Sequence, residues 1–142
     1  MKIGIEKDMT LASAPQLVRA YALTAHAELV TKRMSDVISL SPDAQVIAAW
    51  INGEVVGVIA YSEDAIEPAY WVELVYVTER LRRSGIFKAL WSATVKTATE
   101  NEIRQIVVGR HVNNSVMQRA LEREGVHAEF VVHHFWVHYG VD

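Results

Sequence analysis

The stretch that decides the fold reads ELVYVTERLRRSGIFKAL over residues 73–90. Its first part is a run of β-branched and aromatic residues, which predicts a buried strand ending at Val77. From Gly85 onward the apolar residues follow helical spacing, which predicts a long helix over residues 85–101. The loop between these two elements carries three arginines, Arg80, Arg82 and Arg83. A strand therefore leads through a basic loop directly into a helix.

This arrangement is typical of an anion-binding site. The first backbone N–H groups of a helix have no partner within the helix, and the helix dipole adds positive potential at that end. Gly85 leaves room for a ligand near the backbone, and the side chains of Arg82, Arg83 and Lys88 would add charge-assisted hydrogen bonds to a phosphate. The alternative is a solvated surface turn, which a single glycine does not exclude.

The rest of the chain predicts an α/β domain on a mixed sheet. Asn52-Gly53 lies between two β-prone runs and indicates a hairpin, because both turn positions accept a positive φ. Strands are predicted over residues 2–7, 44–51, 54–61, 70–77, 106–109 and 128–139. One or two helices are predicted over residues 10–34, and further helices over residues 34–40, 85–101 and 115–124.

Length and composition limit the class of protein. The 142 residues suit a single domain, 1–142, and 51% of them are hydrophobic. The absence of cysteine excludes a disulfide scaffold, a zinc–thiolate site and a cysteine nucleophile, and makes the reducing cytoplasm the default expectation. A net charge of −3 argues against a general nucleic-acid binder. No membrane partner is expected, because no signal peptide or sufficiently long apolar run is visible.

The basic loop resembles a known cofactor-binding motif. Residues 82–87, RRSGIF, resemble the (Gln/Arg)-x-x-Gly-x-(Gly/Ala) pyrophosphate loop of the GNAT superfamily of acetyl-CoA-dependent N-acyltransferases. The preceding LVYV, residues 74–77, is similar to the splayed central strand of that family. Residues 106–108, Asn114 and ALEREGV at 120–126 are similar to its closing segment. The resemblance implies a mixed, mostly antiparallel central sheet with helices on both faces.

The same resemblance implies direct transfer of an acetyl group from acetyl-CoA to an amine acceptor on a small molecule, peptide or protein. The pantetheine arm would pair with the backbone of Val75 and Val77, and an N–H at Val75 would hold the developing oxyanion. Glu73 would be the base that accepts the proton of the amine. Its alternative is an exposed edge residue on the solvent face of the strand.

The pyrophosphate would lie on the backbone amides of residues 83–88. Asn114 would contact the pantetheine or the nucleotide, or alternatively would only cap a helix. The implied catalytic residues are Glu73 and Val75. The implied cofactor-binding residues are Val75, Val77, Arg82, Arg83, Ser84, Gly85, Ile86, Phe87, Lys88 and Asn114.

Two positions depart from the family pattern. Phe87 stands where the motif has glycine or alanine, so close packing at that helix turn must be arranged differently. Leu121 stands where many members carry a tyrosine that protonates the departing thiolate. Either another donor, such as a histidine, or water does this, or the protein is a catalytically weak acyl-CoA-binding or protein-interaction module.

Other features have simpler interpretations. His134 and His138 would lie about 13 Å apart along one strand, too far to share an ion, so no metal site is expected. Trp136, in the last predicted strand, is a candidate for a homodimer contact because a terminal strand leaves an edge to cover. The acidic residues 63–67 either attract a cationic amine or form a solvated loop. A nucleic-acid partner is disfavoured, because a cofactor phosphate explains the arginines more economically.

Overall fold

The structure, a computed structural model, describes residues 2–35, 39–64, 66–109 and 114–126. Within these ranges the chain forms strands β1 (Gly4–Thr10), β2 (Gln45–Ile51), β3 (Glu54–Glu63), β4 (Ala69–Val77) and β5 (Gln105–Val108). The helices of the same ranges are α1 (Gln16–Thr31), α2 (Ile86–Glu100) and α3 (Ser115–Arg123). None of these helices is long and apolar enough to cross a bilayer.

The five strands form one sheet in the order β1-β2-β3-β4-β5. The first three pairs of neighbours are antiparallel, whereas β4 and β5 are parallel. Helix α2 connects β4 to β5 and supplies the crossover that a parallel pair requires. The predicted mixed, mostly antiparallel sheet is therefore confirmed.

Helices cover both faces of this sheet, as predicted. The central parts of β2 and β3, residues 46–51 and 55–61, carry no polar or charged side chain except the Tyr61 hydroxyl, because successive side chains enter opposite cores: Val46 faces α1, and Ile47 faces α2. On the α1 side, Val18 and Ala22 pack against the sheet. On the other side the core contains residues of α2 and α3, namely Ile86, Leu90, Trp91, Ala98 and Leu121.

Two glycines have defined roles in positioning the elements. Gly53 has a φ of 78° and follows Asn52 at 49°, so the predicted hairpin is confirmed. At Gly57 of β3, an added Cβ would lie 2.9 Å from Ile86 Cγ2 and 3.0 Å from Leu90 Cδ1. The first turn of α2 therefore lies directly on the sheet, at a place where a larger residue does not fit.

Two of the predicted helices differ from the structure. The helix predicted over 10–34 is shorter, because Thr10 ends β1 and exchanges hydrogen bonds with Ser13 in a turn. The short helix predicted over 34–40 does not form over its described residues. Arg33 has a φ of 56°, and the N–H of Met34 closes the end of α1 by donating to Leu29 O at 2.7 Å.

Several sequence predictions lie outside the described residues. They concern the final strand over 128–139, with Trp136, and part of the helix over 34–40. They also concern five histidines, His111, His127, His133, His134 and His138.

Candidate active site

A β-bulge interrupts β4 at Glu73. Ala60 of β3 pairs with Leu74, and the next residue, Tyr61, pairs with Val72, so Glu73 has no partner in the ladder. A bulge bends its strand and redirects a side chain, and it is a common device near active sites. The Glu73 side chain accordingly lies beside Ser62 of β3.

Two hydrogen bonds hold the Glu73 carboxylate in place. The Ser41 N–H donates to Oε1 at 2.9 Å, and the Ser62 hydroxyl donates to Oε2. Glu73 is half-buried, and its carboxylate is hydrogen-bonded within the protein, so it is not a fully exposed side chain. Because a carboxylate can accept about four hydrogen bonds, these two leave acceptor capacity for a ligand.

The described pairing of β4 with β5 ends just before this bulge. It runs from Ala69 with Gln105 to Val72 with Val108, the last residue of β5. Beyond Val72, no strand in the described part of the chain pairs with β4 on the β5 side. Among the described residues, the second half of β4 therefore has one side without a strand partner, and we call this side the opening.

The backbone groups that face this opening can be identified. Thr78 N–H donates to Val56 O of β3 at 2.9 Å, and in an antiparallel pair every second residue bonds toward its partner. Tyr76 therefore also bonds toward β3, whereas Val75 and Val77 turn their N–H and C=O groups away from it. We call the backbone of Val75 and Val77 the free edge of β4.

Arg82 connects the free edge to the basic loop, residues 80–85. Its Nε–H donates to Val77 O at 3.1 Å, and its guanidinium carbon lies 5.4 Å from the centre of the Tyr76 ring. The side chain is therefore held against β4 by a backbone acceptor and by a cation–π contact.

The basic loop ends at the uncapped N-terminus of α2. Gly85 has a φ of 87° and no side-chain hydrogen bond caps the helix, whose first intrahelical bond runs from Ala89 N–H to Gly85 O. The amides of residues 86–88 precede that bond, so they have no acceptor within the helix. Arg83 and Lys88 are exposed on either side of Gly85. The loop thus presents amides and two cations at one point.

A pocket of about 190 Å³ lies between α1 and β4. We call it the α1–β4 pocket, and it is lined by Tyr21, Thr24, Ala25, Glu28, Tyr76 and Thr78. The Tyr76 hydroxyl donates to Glu28 Oε2 at 2.5 Å, and the Tyr21 hydroxyl lies 2.8 Å from Thr78 Oγ1. The two tyrosine rings meet edge to face with centroids 6.0 Å apart. The pocket therefore combines two aromatic walls with one carboxylate.

Hydrogen bonding and burial shift the pKa values of these groups. The hydrogen bonds from Lys32 and then from Tyr76 lower the pKa of Glu28 below its ordinary value. Burial, followed by the hydrogen bond to Glu28, raises the pKa of Tyr76 to about 12. Burial also raises the pKa of Tyr21. At neutral pH the pocket therefore holds one anion and two protonated phenols.

Comparison with known proteins identifies the fold and the family. The profile of the Acetyltransferase (GNAT) family matches residues 14–126. The chain belongs to this family. No curated protein sequence shows significant similarity to the chain.

Solved structures of GNAT acetyltransferases share the fold at low sequence identity. A ribosomal-protein-alanine N-acetyltransferase from Brucella melitensis biovar Abortus 2308 is 18% identical with a TM-score of 0.71, covering 96% of this chain and 100% of that chain. An aminoglycoside acetyltransferase from an uncultured soil metagenomic sample, in complex with trehalose, is 19% identical with a TM-score of 0.69 and 97% coverage of both chains. AAC(6')-Iy, in complex with the bisubstrate analogue CoA-S-monomethyl-acetylneamine, is 17% identical with a TM-score of 0.67, covering 96% and 99%.

The two departures from the GNAT motif are occupied by core side chains. Phe87 is half-buried and stacks on Trp91 with ring centroids 6.1 Å apart. Its ring thus packs against α2, while its backbone N–H belongs to the uncapped first turn. Leu121 is buried in the α2-side core and offers no proton.

Asn114 caps helix α3. Its Oδ1 accepts a hydrogen bond from Met117 N–H at 3.1 Å. The described contacts of Asn114 are thus those of the helix cap, which the sequence left as the alternative, and its amide nitrogen keeps its donor capacity.

The sequence did not identify which residues of helix α1 line the pocket. The four that do so, Tyr21, Thr24, Ala25 and Glu28, recur at spacings of three and four and therefore share one helix face. That periodicity was available in the sequence. What it could not supply was the partner strand that this face meets.

Proposed function

We propose that the protein transfers an acetyl group from acetyl-CoA to an amine of a small molecule, peptide or protein, by direct attack of the amine. The observation that carries this proposal is the juxtaposition of the free edge of β4 with the uncapped N-terminus of α2. We also propose that residues 1–142 form one such domain. Cytoplasmic location and a homodimer stay predictions.

The residues at the start of α2 fit a diphosphate. An added Cβ at Gly85 would meet no atom within 4 Å, so there is open space beside the helix end. Free amides, the helix dipole and the exposed cations Arg83 and Lys88 all favour an anion there. Arg82 lies close enough to the free edge to contact either the phosphates or the chain that follows them.

The free edge would hold the extended arm of the cofactor and polarise its carbonyl. Val75 and Val77 turn their backbone N–H groups toward the opening beside β4, as an added strand requires. The Val77 carbonyl already accepts from Arg82 Nε–H, so a bound arm would share or replace that contact. When bound, acetyl-CoA supplies the acetyl group as an activated thioester. The Val75 N–H would then donate to the carbonyl oxygen as negative charge develops on it, which is often the largest contribution to catalysis.

Glu73 would accept the proton that the attacking amine loses. It lies two residues before Val75, and its carboxylate is fixed by Ser41 and Ser62. A fixed carboxylate with remaining acceptor capacity can take the proton directly or through one water. Leu121 cannot donate a proton, so we assign protonation of the departing thiolate to water.

A second candidate function is a catalytically weak acyl-CoA-binding or protein-interaction module. It is favoured by Leu121, because the buried side chain leaves no acid at the place where many GNAT members have one. A protein of this kind would bind acetyl-CoA without catalysing acetyl transfer, so measurements of binding and of turnover distinguish it from an enzyme.

The test combines calorimetry with a thiol-release assay. We expect acetyl-CoA to bind, and amines to release CoA thiol with an N-acetylated product detected by mass spectrometry. Binding without thiol release across a panel of alkylamines, aminoglycosides and peptides would favour the binding module. Failure of acetyl-CoA to bind would overturn both candidates.

A further inference from the structure

The α1–β4 pocket lies directly beside the backbone that we assign to the thioester. Tyr76 stands between Val75 and Val77, so one residue of β4 lines the pocket while its two neighbours form the free edge. The pocket opens to solvent, since Thr24 is exposed and Glu28 is half-buried. An acceptor whose amine reaches Val75 would therefore place its next few atoms against this pocket.

Size and lining limit what the pocket can hold. Its volume of about 190 Å³ is roughly that of six water molecules in the liquid, which suits a short chain or a small ring. The rings of Tyr21 and Tyr76 form apolar walls. Aromatic walls beside a carboxylate favour an organic cation.

Glu28 is the carboxylate of this pocket, and it has capacity for a ligand. Oε2 accepts from Tyr76 and Oε1 accepts from Lys32 at 2.8 Å, which leaves about two of its four acceptor positions. The Lys32 contact is a pair between neighbouring turns of α1, with the lysine side chain 53% exposed. An exposed pair of this kind contributes little, so a ligand cation can replace it.

A second cation, Arg82, lies beside the pocket wall. Its guanidinium carbon is 5.4 Å from the centre of the Tyr76 ring, its Nε–H donates to Val77 O, and it is not itself a lining residue. In the proposed complex the cofactor phosphates would lie near Arg82 and offset its charge. The pocket would then present a net negative site to the acceptor.

We propose that the α1–β4 pocket binds a second, positively charged group of the acceptor, and that Glu28 determines this specificity. The acceptor class is therefore a short diamine or a related polycationic amine, in which one nitrogen attacks the thioester and another lies on Glu28. This inference rests on the proposed function, because the pocket selects the acceptor of that reaction. Tyr76 positions the Glu28 carboxylate through its hydroxyl.

The experiment compares three acceptors that share a four-carbon chain, 1,4-diaminobutane, 4-amino-1-butanol and butylamine, by thiol release at saturating acetyl-CoA. The kcat/KM of the diamine is first divided by two, because it has two equivalent amines. The divided value should be about 10- to 100-fold above the values of the other two acceptors, which is the factor that a hydrogen bond to a charged group contributes. Glu28→Gln should abolish this preference, so that the kcat/KM values of the three acceptors lie within about twofold of one another. Glu100→Gln, an exposed carboxylate at the end of α2, is the matched control and should keep the preference.

A binding measurement separates this inference from the reaction itself. Diaminobutane is titrated by calorimetry into wild-type protein and Glu28→Gln, each saturated with free CoA. Glu28-dependent binding without any turnover would support the pocket and overturn the proposed reaction. Turnover with equal kcat/KM for the three amines, or diamine binding that Glu28→Gln leaves unchanged, would overturn the pocket assignment.

Discussion

The two sides of β4 differ in the kind of group that they present. Toward the opening beside β5 and the start of α2, the site consists of backbone: the free edge and the amides of residues 86–88. Toward α1 it consists of side chains, with Glu73 on the bulge and Glu28 hydrogen-bonded to Tyr76. Backbone groups are the same for every residue type, so they suit a ligand that is always the same. Side chains differ from residue to residue, so substitutions on the α1 side can change the specificity for the ligand bound there.

We therefore expect substitutions on the two sides of β4 to impair different steps, turnover on one side and acetyl-CoA binding on the other. A variant on the α1 side should lose turnover and keep acetyl-CoA affinity. A variant at the start of α2 should lose acetyl-CoA affinity first.

The largest effect is expected for Glu73→Gln. The amide keeps the shape of the side chain but cannot accept a proton, so kcat/KM should fall by about 10²- to 10⁴-fold, the usual contribution of a general base. Calorimetry should give an unchanged affinity for acetyl-CoA. Glu63→Gln, the same change at an exposed site on β3, is the control. A wild-type rate in Glu73→Gln would remove this residue from the mechanism.

Gly85→Asp should weaken acetyl-CoA binding by at least about 100-fold, because its carboxylate would take the place of a phosphate and its charge-assisted hydrogen bonds. Gly85→Ala separates this charge effect from backbone strain. At a φ of 87° alanine should cost roughly 1–2 kcal/mol of stability and little affinity. Isothermal titration of both variants makes the comparison, and equal affinities for alanine and aspartate would contradict the phosphate assignment.

Gly57→Ala tests whether the sheet positions the start of α2. The new methyl group would press on Ile86 and Leu90, so unfolding in urea should show a loss of about 1–3 kcal/mol, the usual cost of overpacking. Acetyl-CoA affinity should fall with it. Gly109→Ala is the matched control, since no atom of the described residues lies within 4 Å of its added Cβ. Similar stability in the two variants would show that α2 does not depend on this close approach.

The smallest effect is expected for Tyr76→Phe. Its hydroxyl holds Glu28 by one hydrogen bond, so kcat/KM for a diamine should fall by only about 2- to 10-fold. The alkaline limb of the pH–rate profile should not move, because a pKa raised to about 12 keeps Tyr76 protonated through the assay range. A lost or shifted limb, or a much larger loss of turnover, would instead make this hydroxyl a proton donor.

The sequence predicted the backbone side far better than the side-chain side. Gly85 after a run of arginines and the Asn52-Gly53 turn are local signals, because each depends on a conformation that few residues adopt. The bulge at Glu73 has no such signal: it depends on how β4 pairs with β3. The contact of Glu28 with Tyr76 joins residues 48 positions apart and forms only when α1 packs on the sheet.

Leu121 and Phe87 also show that a local sequence signal does not reveal how a side chain packs. The sequence marked both as departures from a motif, but only packing shows that both side chains join the core on the α2 side. The consequence for function, a missing acid at Leu121, follows from the motif. The tolerance of Phe87 follows from the stacking on Trp91.

The most direct test of the account is residue-resolved amide hydrogen exchange by NMR, with and without acetyl-CoA. Leu74 and Tyr76 pair with Ala60 and Val58 of β3, so their amides should exchange slowly in both states. The amides of Val75 and Val77 face the opening, and acetyl-CoA should slow their exchange by at least about tenfold. Unchanged exchange at Val75 and Val77 in protein saturated with acetyl-CoA would contradict the free edge as the cofactor site.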